Sequence, residues 1–61
     1  MFNIKVITKN PKNNYWWFDE AESFTSNEDT FTVKWWSVGS QEYIYSTFNK
    51  SEIKKIKIKS A

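Results

Sequence analysis

The chain contains no cysteine, histidine, arginine or leucine, and only one glycine and one proline among its 61 residues. Without cysteine there is no disulfide and no thiol nucleophile, and without Cys or His there is no ligand set for a structural zinc. Without histidine the commonest general base is missing. A lone Gly39 cannot build a phosphate-cradling loop, a dinucleotide fingerprint or a GxSxG elbow. Carboxylate pairs such as Asp19 and Glu22 remain, but hydrolysis by two carboxylates needs a cleft that so short a chain hardly provides. These absences predict a protein that is not an enzyme and uses no cofactor and no metal. The lack of arginine also removes the residue best suited to bidentate contacts with bases or phosphates.

No apolar run approaches the roughly 20 residues needed to span a bilayer. The N-terminal MFNIKVITK alternates and lacks the apolar core of a signal peptide. A soluble cytoplasmic protein with no membrane partner is therefore expected. All nine positive charges are Lys, and Asn and Ile are plentiful. That usage fits an AT-rich genome, such as a low-GC bacterium or one of its phages or mobile elements.

What the chain does have is aromatic bulk. Twelve residues are Phe, Trp or Tyr, and each can bury roughly 150–250 Å². Sixty-one residues allow one small β domain, 1–61, of marginal stability. Homodimerisation is a common remedy for so small a core.

Residues Phe2 to Thr8 alternate and predict a first strand, with Phe2, Ile4 and Val6 facing the core. Asn10-Pro11-Lys12-Asn13-Asn14 carries turn chemistry. Tyr15 to Phe18 is a continuous aromatic run that suits a strand, with Trp16 and Phe18 on one face and Tyr15 and Trp17 on the other. Asp19 to Thr25 reads as a continuation of that strand after a bend or bulge near Asp19-Glu20, with Phe24 turned inward. The alternative is a one-turn helix, because Asp19 with Glu22 resembles a capping box. Ser26 to Asp29 makes a turn.

Thr30 to Ser37 places Phe31, Val33 and Trp35 on one face and Thr32, Lys34 and Trp36 on the other. Val38 to Gln41 holds Gly39, which can take positive φ without steric cost, and predicts a hairpin into Glu42 to Phe48. That strand's faces are Ile44, Ser46 and Phe48 against Tyr43, Tyr45 and Thr47. Asn49 to Glu52 reads as a short helical turn, with Ile53 plugging the core. Lys54 to Lys59 follows as a last strand, with Ile56 and Ile58 inward and Lys55, Lys57 and Lys59 outward. The whole predicts an all-β, five-stranded, strongly bent antiparallel sheet or an SH3-like or OB-like barrel, with a short helical turn before the last strand. The turn-then-strand ending is similar to that of SH3-like barrels, and many small β folds share it.

Two tryptophan pairs, Trp16-Trp17 and Trp35-Trp36, carry the functional signal. On a strand one member of each pair goes inward and its neighbour outward. Tyr15, Trp17, Trp36, Tyr43 and Tyr45 are the aromatics left off the core, with Lys34 beside Trp36. Large exposed aromatics mark interaction surfaces. They serve as anchors for another protein, as stacking platforms for single-stranded nucleic acid, or as a self-association face. Cold-shock and OB-type domains are the natural comparison for nucleic acid, yet their Gly-rich aromatic-basic motifs do not occur here.

Charge is polarised. Asp19, Glu20, Glu22, Glu28 and Asp29 lie within eleven residues that contain no Lys. Outside them nine Lys stand against Glu42 and Glu52, a balance of +7. The acidic carboxylates do not match a calcium loop. Lys54, Lys55, Lys57 and Lys59 are candidates for phosphate contacts, or they protect a sheet edge from pairing with other chains. The leading expectation is a non-enzymatic accessory or regulatory protein that docks on another protein through an aromatic sheet face. The anchors are Tyr15, Trp17, Trp36, Tyr43 and Tyr45, with Lys34 flanking. The alternatives are a single-stranded nucleic-acid binder and a self-associating subunit.

Overall fold

The computed structural model describes residues 1–12 and 14–61. Among them are six strands: β1 (Phe2–Thr8), β2 (Tyr15–Ala21), β3 (Ser23–Ser26), β4 (Thr30–Ser37), β5 (Glu42–Asn49) and β6 (Ile53–Ser60), with a 3₁₀ turn, Lys50–Glu52, before the last. They form two three-stranded antiparallel sheets. Sheet A has the order β2-β1-β6 and sheet B the order β3-β4-β5.

The fold is all-β, as the alternation predicts, but there are six strands and they do not close into a barrel. The expected second strand is two. It bends within the acidic stretch, where Glu20 adopts φ 54°. The register confirms a bulge there: Phe2 pairs with Ala21 while Ile4 pairs with Phe18, so β2 carries one residue more than β1 over that step. The Asn3 side chain fixes the kink, its Oδ1 accepting the Glu20 N–H at 3.0 Å. Past Glu22 the chain leaves sheet A and pairs with β4 as β3. No helical turn forms at Asp19–Glu22, so the capping-box alternative is excluded.

The core lies between the sheets. Ile4, Val6, Phe18 and Ala21 come from sheet A, and Phe31 and Val33 from sheet B. Each fully buried large side chain among them contributes roughly 1.5–3 kcal/mol. Phe2, Phe24, Trp35, Phe48, Ile53 and Ile56 pack around this nucleus. Phe24 does turn inward, edge-on to Phe2 at 5.2 Å and against Phe31 at 5.8 Å. The partly buried Trp35 donates its indole N–H to Ser46 Oγ at 2.8 Å, which satisfies the one polar atom of that ring. Lys9 N–H bonds the Glu52 carbonyl at 2.8 Å and so ties the 3₁₀ turn to the end of β1.

Four expectations are corrected or fall outside this description. Trp16 is 46 % exposed rather than core: it has the inward parity of Phe18, but it stands near the end of β2, where its ring lies edge-on to Phe48 at 5.9 Å. Ile58 is 42 % exposed, because it sits on edge strand β6 outboard of Ile4. The β4–β5 turn does not use Gly39 in the left-handed region; Gln41, its last residue, takes φ 52° instead. The loop expected over 10–14 includes Asn13, which lies outside the described residues.

Candidate functional site

With Ile4 and Val6 buried, alternation turns Asn3, Lys5 and Ile7 to the opposite side of β1. The register then fixes their neighbours. Lys5 lies between Trp17 on β2 and Lys57 on β6; Ile7 lies between Tyr15 and Lys55; Asn3 is opposite Lys59. These eight positions lie on the outer face of sheet A, and Asp19, two residues beyond Trp17 on β2, is the one carboxylate with the same parity. Lysines along β6 recur every second residue, about 6.7 Å apart on a strand.

The rings of Tyr15 and Trp17 lie side by side at 6.2 Å with 39° between their planes. The Lys5 ammonium sits 4.5 Å from the Tyr15 centroid and 5.9 Å from that of Trp17. Trp17 is the more open ring, 61 % exposed. Beside it a groove of about 470 Å³ is bordered by Trp17, Lys5, Lys57 and Lys59. Lys5 and Lys57 are directly opposed, an arrangement that destabilises a sheet. Edge protection explains lysines on β6, which is an edge. It does not explain Lys5, which stands on the central strand.

The outer face of sheet B holds a second group. Trp36 pairs with Tyr43 and Lys34 with Tyr45 across β4 and β5. The Trp36 and Tyr43 rings meet edge-on at 5.0 Å. Lys34 Nζ stands 4.6 Å from the Tyr43 centroid and 5.9 Å from that of Tyr45. Tyr43 donates its phenol O–H to Glu22 Oε2 at 3.1 Å. That bond, and the charge of the carboxylate behind it, raise the Tyr43 pKa above its ordinary value. Asp19, Glu20 and Glu22 gather at this end with Trp36, Tyr43 and Met1. This ring cluster therefore has a hydrogen-bonded carboxylate against one of its rings, whereas the sheet A rings have the Lys5 ammonium against both.

No family model, curated protein or solved structure matches the chain. The geometry alone carries the functional reading.

The outward aromatics thus divide into two groups on different sheets. Tyr15 and Trp17 share a face with Lys55, Lys57 and Lys59. Trp36, Tyr43, Tyr45 and Lys34 form the other group. Lys54 joins neither: it is the extra residue where the register steps from Ile7–Lys55 to Thr8–Ile53. Two residues were not singled out from sequence as contacts: Lys5 on the outer face of sheet A, and Trp16, which has inward parity but is 46 % exposed. Lys5 was legible, because the same alternation that buries Ile4 and Val6 turns it to the outer side, where it is half-buried. Trp16 was not, because strand parity gives a face and says nothing of how far the opposite sheet extends.

Proposed function

We propose that this chain is a non-enzymatic binding module that holds single-stranded nucleic acid on the outer face of sheet A. Lys5 carries the proposal. It is a cation on a central strand, against two rings on one side and opposite Lys57 on the other. A base stacks on Trp17, and on Tyr15 once the flexible Lys5 swings from ring to phosphate. Lys55, Lys57 and Lys59 follow the backbone as a row of point charges. Without arginine or a hydrogen-bonding code at this face, binding is sequence-tolerant.

The test is a tryptophan-fluorescence titration with a mixed-sequence single-stranded oligonucleotide. Four lysine–phosphate contacts give a salt slope of about −2.8, so affinity falls about 50-fold between 50 and 200 mM salt. Replacing Lys5 with Gln lowers the slope by about 0.7. Absence of quenching at the lower salt overturns the proposal.

A second reading, docking on another protein, is favoured by the edge-on Trp36–Tyr43 pair with Tyr45 on sheet B. There the cluster includes a hydrogen-bonded carboxylate, which repels phosphate but suits a polar protein surface. In fold terms, one kinked segment passing between two three-stranded sheets, followed by a single 3₁₀ turn before the last strand, supports an open relative of SH3-like barrels.

A further inference from the structure

Each sheet leaves two edges: β2 and β6 in sheet A, β3 and β5 in sheet B. An edge strand invites pairing with another chain unless charge, bulging or brevity prevents it. β6 carries four lysines, β3 has four residues, and β2 is bulged at Glu20. β5 has none of these defences. It runs eight residues in unbroken register with β4, without proline and without a charge from Tyr43 to Asn49.

The direction of its free hydrogen-bonding groups follows from the neighbouring ladder. The Lys34 carbonyl accepts the Glu22 N–H at 2.9 Å, so the Lys34 backbone points towards β3. Its cross-strand neighbour Tyr45 therefore turns N–H and C=O away from β4, and Tyr43 and Thr47 do the same. Among the described residues, no backbone hydrogen bond to another element uses these three. On the inner side of this edge the half-exposed Trp16 leans on Phe48 and borders a groove of about 640 Å³.

We propose that β5 pairs antiparallel with β5 of a second copy of this chain, with Ser46 on the two-fold axis. Antiparallel pairing must match outward-turned residues with one another. With Ser46 on the axis, Tyr45 meets Thr47 of the second copy and Ile44 meets its Phe48, both favourable cross-strand combinations. The same register brings Glu42, the first residue of β5, near Lys50 of the second copy, the first residue of the 3₁₀ turn just past the strand's end, and by symmetry this occurs twice. Moving the axis to Tyr45 sets Glu42 against Phe48 and leaves both charges unpaired. The contact is self-complementary, so it closes as a dimer rather than growing into a fibre, and it covers Trp16.

The test is sedimentation equilibrium from micromolar to millimolar protein, on the wild type, on Glu42→Lys, on Lys50→Glu and on the double variant. The wild type is expected to reach twice the monomer mass. Each single variant sets like charges against each other at both ends and weakens the dimer about tenfold. The double variant restores the attraction and the wild-type dissociation constant. A wild type that stays monomeric throughout overturns the proposal, and so does a dimer indifferent to these charges. Neither position lies on the outer face of sheet A, so oligonucleotide affinity is a separate readout and the two proposals fail independently.

Discussion

At the scale of single residues, the most informative contact is the Tyr43 phenol on the Glu22 carboxylate. Only the neutral phenol donates, so the bond favours the protonated form and raises its pKa above about 10. The linkage has one sign. The contact's stabilisation is fully present below the unfolded phenol's pKa and is lost as pH rises through the higher folded value. Tyr43→Phe removes the contact at every pH while leaving Tyr15 and Tyr45 in place. The difference in thermal midpoint between wild type and variant is therefore expected to be constant from neutral pH to about pH 9 and to narrow as pH rises further and the phenol ionises. A gap that persists with the phenol ionised would mean that ring packing, not the hydrogen bond, makes the difference. Lys5 is the other decisive residue: it faces an opposed lysine on a central strand, and its contact with the Tyr15 and Trp17 rings is the one structural gain set against that repulsion.

At the scale of elements, the bulge in β2 determines the architecture. It redirects the chain from sheet A to sheet B and splits the expected long strand into β2 and β3. Glu20 occupies a left-handed conformation that costs a residue with a Cβ roughly 1–2 kcal/mol. Glycine carries no such penalty but loses about 0.5–1 kcal/mol of chain entropy. Glu20→Gly is thus expected to stabilise the protein by up to about 1 kcal/mol in urea denaturation. Glu20→Val, branched at Cβ, is expected to destabilise it by more than about 1 kcal/mol. If both variants destabilise equally, the Glu20 side chain rather than its backbone geometry is what matters. Alternation made the faces of β1, β4 and β5 legible, and the Asp19-Glu20 pair marked the bend. The position of the left-handed turn residue was not legible, because Gln41 is forced there by how the loop closes and not by its own preference. Ala21 is fully buried opposite Phe2, a place that its small side chain does not announce in sequence.

At the scale of the whole molecule, the nucleus of six buried residues is small and much of the aromatic surface stays in contact with solvent. Sequence shows that several rings face outward, but strand parity cannot say which sheet each strand joins. Grouping them required the sheet orders β2-β1-β6 and β3-β4-β5. That grouping gives the molecule two unlike faces: rings with lysines on sheet A, and rings with a hydrogen-bonded carboxylate on sheet B. A nucleic-acid site confined to sheet A leaves the sheet B rings out of oligonucleotide binding. The measurement that tests this most directly is the affinity of a labelled single-stranded oligonucleotide for wild type, Trp17→Ala and Trp36→Ala, with urea denaturation to show that all three are folded. Trp17→Ala is expected to weaken binding about 5- to 150-fold, the worth of one stacked base, while Trp36→Ala leaves it at the wild-type value. Unchanged binding in Trp17→Ala, or an equal loss in Trp36→Ala, would contradict the assignment of the nucleic-acid site to sheet A.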